Sequence, residues 1–221
     1  MKMLFPLAAV TILTACKTLI GADLFTSDLI AAVNGDTITA PLIISADTST
    51  LQKCQEFSPD ILTAVQSIYD TAEFIGCEKI GFDTYGRFRV QAGVISFTDT
   101  APVPDAAFAF GVRKEGASYH VSYLINPDAT RAIWDALPET MTKYETFKLD
   151  PILSAVLNND LRNTVTITTD DVFADGTPVQ GTATRDLPRR DQVELKMSDV
   201  TNTAFGTTNN VSHIVTFSIT E

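Results

Sequence analysis

Apolar and polar positions recur along this chain with two periods, and each stretch of constant period marks an element. Residues 37–46 read as a strand, with Pro41 marking an edge or a bulge. The clearest helical stretch follows. Ser58 stands where an N-cap belongs and Pro59 fits the first helical position. Ile61, Val65, Ile68, Tyr69 and Ala72 then fall at i, i+4, i+7, i+8 and i+11, a single apolar stripe that reads as core packing. From residue 80 to 97 the period drops to two. Phe88, Val90, Ala92 and Val94 alternate with Arg87, Arg89 and Gln91, as on a half-buried strand. Residues 98–105 carry Pro102 and Pro104 with no periodicity and read as a linker.

The second half opens on a hairpin. Residues 108–112 and 118–125 are strand-like and flank a turn near Lys114, Glu115 and Gly116. Asn126-Pro127 and Asp150-Pro151 each pair a cap residue with proline. They lead into Ala132-Ile133-Ala136-Leu137 and Ile152-Leu153-Val156-Leu157, and predict helices near 127–137 and 151–161. Beyond them Val165 and Ile167 share a strand, and Asp175-Gly176 makes a hairpin turn. Val193, Leu195 and Met197 alternate with polar residues. Val211, His213, Val215, Phe217 and Ile219 share one face of the last strand.

These elements predict an α+β protein of mixed helix and antiparallel sheet, with a β-rich, sandwich-like C-terminal part. The expected division is an N-terminal α+β part over 24–98 and a C-terminal part over 105–221. No internal repeat is evident.

The first residues have a different character. Lys2 is a charged start, and residues 3–12 are an apolar run too short to span a bilayer, which takes roughly 20 apolar residues. Leu13-Thr14-Ala15-Cys16 resembles the lipobox of bacterial lipoproteins. In that family a branched apolar residue and two small ones precede a cysteine that receives diacylglycerol before cleavage. Ordinary signal-peptide cleavage after Ala15 fits worse, since it would put bulky Leu13 where a small residue is wanted. The resemblance implies a signal peptide over 1–15, lipid on Cys16, export and a membrane anchor. Each methylene of that lipid adds about 0.8 kcal/mol to membrane attachment. Lys17 rather than Asp after the anchor points to the outer membrane of a Gram-negative cell. Residues 16–23 are read as lipidated cysteine and short tether, which keeps the folded part close to the lipid.

Charge and cysteine content follow from that reading. The chain has 221 residues and a net charge of −11. Residues 1–15 carry one charge, Lys2, so the 206 residues after them carry −12. Their length suffices for a hydrophobic core without a structural metal. Such acidity gives no electrostatic basis for binding nucleic acid, and it repels anionic headgroups, so the body is expected to stand off the membrane. With Cys16 assigned to lipid, Cys54 and Cys77 are an even pair in an oxidising compartment and read as one disulfide. Two buried free thiols are the other reading. A helix over 59–71 would be roughly 20 Å long, whereas bonded cysteines need Cα atoms within about 7 Å. The bond therefore requires residues 73–77 to run back, extended, along the helix.

Candidate chemistry is sparse. Of the two histidines, His120 has the polar parity of Ser118 and Ser122, while His213 has the apolar parity of Val211 and Val215. His213 reads as a satisfied, half-buried side chain. Neither belongs to an HExxH set, and GxSxG and phosphate-loop motifs are absent. Residues 170–176 are acidic but fail the calcium-loop spacing, because counting from Asp171 puts Phe173 at position 3 and Thr182 at position 12. Arg87 and Arg89 share a face that could grip a carboxylate or phosphate, although a solvated strand face accounts for them. No catalytic, metal-binding or cofactor residue is nominated, and the chain is expected not to be an enzyme.

Together the lipobox, the Cys54/Cys77 pair around one helix, Phe88-Arg89-Val90 and the turn from Val172 to Val179 make the chain resemble small lipoproteins of phages and prophages of Gram-negative bacteria. That group has no established activity, so no functional residue is carried over from it. The anchor, short tether, acidity, disulfide and lack of a catalytic set are read as a binding or shielding protein of the envelope with an envelope protein as partner, and the resemblance implies a phage receptor as that partner and superinfection exclusion as the outcome. The alternatives are a structural or assembly-factor lipoprotein and, third, an envelope hydrolase.

Overall fold

The computed structural model describes residues 18–143, 151–205 and 210–220. The signal segment 1–15, Cys16 and Lys17 lie outside the described residues, as does Asp150. Sheet dominates. The chain order is β1 (Thr18–Phe25), α1 (Thr26–Val33), β2 (Ile38–Asp47), α2 (Leu51–Gln66), β3 (Glu73–Ile80), β4 (Asp83–Ser96), β5 (Phe108–Glu115), β6 (Ser118–Ile125), α3 (Pro127–Asp135), α4 (Glu139–Thr142), β7 (Ile152–Asn158), β8 (Val165–Asp170), β9 (Val172–Ala174), β10 (Thr177–Pro178), β11 (Thr182–Leu187), β12 (Gln192–Met197), α5 (Asp199–Ala204) and β13 (Val211–Ile219).

All these strands belong to one mixed sheet of order β10-β9-β12-β7-β1-β2-β4-β5-β6-β13-β8-β11, with β3 added on β4. Two pairings, β1 with β7 and β4 with β5, are parallel, so the sheet is not the purely antiparallel one expected. The order also closes on itself. β9 pairs β12 near one end and β8 pairs β13 near the other, yet Asp171 alone joins β8 to β9. The sheet is therefore curled until its ends meet. Tyr123 on β6 and Ser154 on β7 are five strands apart in the order, yet the Tyr123 hydroxyl donates to the Ser154 carbonyl across the interior.

That interior is one core. Ile20, Leu42, Phe88, Phe110, Tyr123, Leu153 and Phe217 are fully buried members of a single cluster drawn from both halves of the sequence. The expected division at 98–105 is thus replaced by one continuous sheet, because β1 is sandwiched between β2 and β7. The same fact corrects the tether. Residues 18–23 are strand, not linker, with Ile20 and Ala22 buried on the inner face. The helix expected near 151–161 is also corrected. Residues 152–158 form β7, and Leu153, Ala155 and Leu157 alternate inward between β1 and β12. In a strand hydrogen-bonded on both sides, a run of apolar residues satisfies period two as readily as a helical stripe.

α2 starts earlier than its apolar stripe suggests. Thr50, not Ser58, is the N-cap, and its side chain accepts from Lys53 N. Pro59 sits inside the helix, where it has no N–H to offer the carbonyl of exposed Gln55. Ser58 instead donates its hydroxyl to the Cys54 carbonyl. Of the stripe, Ile61 and Val65 are buried on α2, whereas Tyr69 and Ala72, also buried, follow the end of the helix at Gln66 instead of continuing it to 71. Other local signals match their elements. Asn126 caps α3 by accepting from Asp128 N and Ala129 N, ahead of Pro127. Asp175 and Gly176 have φ of 48° and 75°, the left-handed pair of a tight hairpin between β9 and β10. β2 is an interior strand, but its pairing with β1 stops at Leu42, beside Pro41, which has no N–H for the ladder.

Candidate functional site

Cys54 lies on α2 and Cys77 on β3, and the structure joins them with Cα atoms 6.1 Å apart. β3 runs back along α2 as a disulfide there demands, although Cys54 lies within the helix rather than ahead of it. The bond pins the edge hairpin β3–β4 to the body. At its tip, Gly81 takes φ 65° and Phe82 is 97% exposed.

Arg87 and Arg89 do share the outer face of β4, as their alternation with Phe88 and Val90 indicates. Both are already answered by carboxylates of β3. Arg87 pairs with Glu78, and Arg89 Nη1 lies 2.6 Å from Glu73 Oε1. These pairs are solvent-exposed and hold the edge strand in register rather than adding much stability. Beside them, a shallow groove crosses the outer face over β7, β1, β2 and β4. Gly21, Ser154 and Val156 are among its lining residues, with charge of both signs on Asp23, Arg87, Arg89 and Glu194. A shallow, open, mixed-charge surface of this kind contacts a polypeptide loop or edge more readily than it encloses a small molecule.

The third feature is one that strand parity misplaces. A bulge at Ile214 shifts the register of β13 between His213 and Val215. His213 therefore faces outward, opposite to Val215 and Phe217, and meets the outward residues of β6. Its Nε2 is 3.1 Å from Thr216 Oγ1, which is also 3.1 Å from His120 Nδ1. His120 Nε2 in turn lies 3.6 Å from Glu115 Oε2. Burial pushes the His213 pKa below the ordinary histidine value, helped by His120 and Arg113 and opposed by the Asp170 carboxylate. The expectation of a half-buried, hydrogen-bonded His213 agrees with this geometry, but the apolar face assigned to it does not. Hydrogen bonds therefore join His213, Thr216 and His120, and Glu115 stands beyond hydrogen-bond distance at the end of the row. Among the described residues, no cluster of three or more His, Cys, Asp or Glu side chains is arranged to hold a metal.

Residues 170–176 also resolve plainly. Asp171 turns the chain from β8 to β9 with φ 51°, and its Oδ1 accepts from Gly181 N at 2.9 Å. Asp175 Oδ1 accepts from Glu194 N at 2.9 Å, and its other oxygen meets Arg185 at 2.8 Å. These acidic groups tie turns together. Among the described residues, no helix is long and apolar enough to cross a membrane. Cys16, the lipidation site indicated by the sequence, lies outside the described residues, two positions before β1.

No curated protein and no solved structure matches the chain. A family does. Residues 18–221 match the family described as Domain of unknown function (DUF7424), and the chain belongs to it.

Proposed function

We propose that this member of the DUF7424 family is a lipoprotein, exported and held by lipid on Cys16 to the outer membrane, that works by occupying a partner's surface rather than by catalysis. The observation that carries the reading is the place of β1. A lipobox cysteine stands two residues before Thr18, and Thr18 opens a strand paired on both sides, near the middle of the row β12-β7-β1-β2-β4-β3. A lipid on Cys16 would therefore hold the body itself at the bilayer, with no slack linker. Tethering confines a binder to a thin layer near any envelope partner, so a modest intrinsic affinity suffices. The outer groove beside Arg87 and Arg89 is the binding face favoured here, since it lies on the wall built around β1.

The likeness to phage and prophage lipoproteins makes an outer-membrane phage receptor the proposed partner and superinfection exclusion the outcome. Expression of the lipidated chain is expected to reduce adsorption or DNA entry of a subset of phages in a broad panel. A Cys16→Ala form loses most of that effect, and Arg87→Glu combined with Arg89→Glu weakens it while the anchor is retained. Equal adsorption to expressing and empty cells across the panel overturns the shielding role.

A further inference from the structure

The strand registers place one end of the molecule around the chain that follows Cys16. Thr18 pairs with Ala46, Ala46 with Gly86, and Gly86 with Cys77, so these four residues form a row across β1, β2, β4 and β3. From that row β3 continues outward to Ile80 and returns at Asp83, which carries the hairpin tip roughly 10 Å beyond it at 3.3 Å per residue. β1 starts at this end, with Thr18 in the row, and runs away from the tip. Cys16 can lie no more than about 7 Å from Thr18.

Exposed apolar side chains gather at this end. Phe82 is 97% exposed and Ile80 42%. Leu51 opens α2 just after β2 ends at Asp47, level with Tyr85, and is 56% exposed. On the other flank of β1, Leu19 pairs with Ile152, and β7 pairs with β12, which runs down to Met197 and into α5. There Val200 is 81% exposed. The strand that opens two residues after Cys16 thus has exposed apolar residues on both sides of it, over a row of six strands spaced about 4.8 Å apart.

We infer that this end is a membrane-contact surface, on which Phe82, Ile80, Leu51 and Val200 enter the lipid interface beside the anchor. The inference rests on lipidation of Cys16. Its partner is a lipid surface because the anchor would bring these side chains to one and hold them there. Singly exposed apolar residues are ordinary on soluble proteins; a set around one chain end leading to a lipobox calls for an apolar phase. The net acidity that sets the body against anionic headgroups does not oppose this contact with zwitterionic lipid. Lys53 and Lys79, both exposed, also lie at this end among Asp47 and Asp83.

The test uses purified lipidated full-length protein in vesicles of zwitterionic phosphatidylcholine, with and without bromine on the acyl chains. Trp134 is first replaced by Phe, and tryptophan is then introduced by Phe82→Trp and, as a control in the β4–β5 connection, by Val103→Trp, whose parent residue is 59% exposed. For a side chain roughly 5–10 Å into the boundary region, emission from the position-82 indole falls about twofold on bromination and resists aqueous iodide. The position-103 indole shows the reverse. Quenching of both by iodide alone overturns the inference, and so does an indole at 82 shielded from both quenchers, which signifies a protein contact. The mass of the N-terminal peptide from the same preparation separates the two readings. Lipid present with an iodide-quenched indole removes this inference alone, whereas an unmodified Cys16 removes the anchored reading and this inference with it.

Discussion

His120 and His213, 93 residues apart in the chain, share one hydroxyl: Thr216 Oγ1 lies 3.1 Å from a ring nitrogen of each. A threonine hydroxyl has a single proton, so it donates to at most one ring and accepts from the other through that ring's N–H, which couples the tautomers of the two imidazoles. Protonating the ring that accepts from the hydroxyl breaks that bond, whereas protonating the ring that donates to it does not.

The pH dependence of stability follows from the His213 shift. Its folded pKa lies below the ordinary 6.5, burial being the largest cause. The unfolded chain therefore binds a proton more readily, and the contribution of His213 to stability is full above pH 6.5 and is lost as pH falls through the folded value. The urea midpoint should decline on going below pH 6.5, and His213→Asn should flatten that decline. Superimposable midpoint–pH curves for the two proteins would sink the assignment. Asp160 and Asp175 do not confuse the window. Both are lowered from 3.8, since bonds from Ser27, Thr26, Glu194 N and Arg185 outweigh burial. What they contribute is lost only below about pH 4.

The disulfide closes a separation of 23 residues between α2 and β3. Non-reducing mass spectrometry should find Cys54 and Cys77 linked, and Cys54→Ala with Cys77→Ala should cost about 3 kcal/mol. Two readily alkylated thiols in the native protein contradict the linkage, and an unchanged urea midpoint contradicts the stabilisation.

Tyr69 binds one backbone residue twice. Its hydroxyl accepts from Phe108 N at 2.7 Å and donates to Phe108 O at 3.0 Å, in a buried site. Tyr69→Phe leaves a buried N–H without its partner, at a cost of about 1–3 kcal/mol. Chemical denaturation measures it, and a loss well under 1 kcal/mol would mean that water replaces the hydroxyl.

Asp171 holds the joint between the two ends of the sheet in the left-handed region. Asp171→Asn keeps an acceptor for Gly181 N and a residue tolerant of φ 51°, so its Tm should stay near wild type. Asp171→Val places a β-branched residue at that angle and removes the bond, with an expected loss of roughly 1–3 kcal/mol. Equal Tm values for the two variants would show that neither the angle nor the bond matters to the closure.

The anchor is tested apart from the fold. With Cys16→Ala, processing should stop, and the unlipidated chain should leave the detergent-extracted membrane fraction that holds the wild type. Wild-type chain found soluble, with an unmodified N-terminus at another residue, is the contrary result.

The sequence alone determined what depends on neighbours a few residues away. The apolar face of α2 at Ile61 and Val65, the Asn126-Pro127 start of α3 and the Asp175-Gly176 hairpin are each set by local backbone preference, so each is legible within one or two turns of chain. The partnership of Cys54 and Cys77 followed from parity and from the export that the lipobox led us to expect. Tertiary structure decided the rest. Residues 18–23 look like a spacer until β2 and β7 pair with them, and residues 152–158 look helical until β1 and β12 do. The bulge at Ile214 turns His213 onto the face of His120, and no alternation in the sequence announces it. The physical reason is common to all three. A strand receives its hydrogen bonds from distant segments, so its existence, its inward face and any extra residue in its ladder are properties of the partners as much as of the strand.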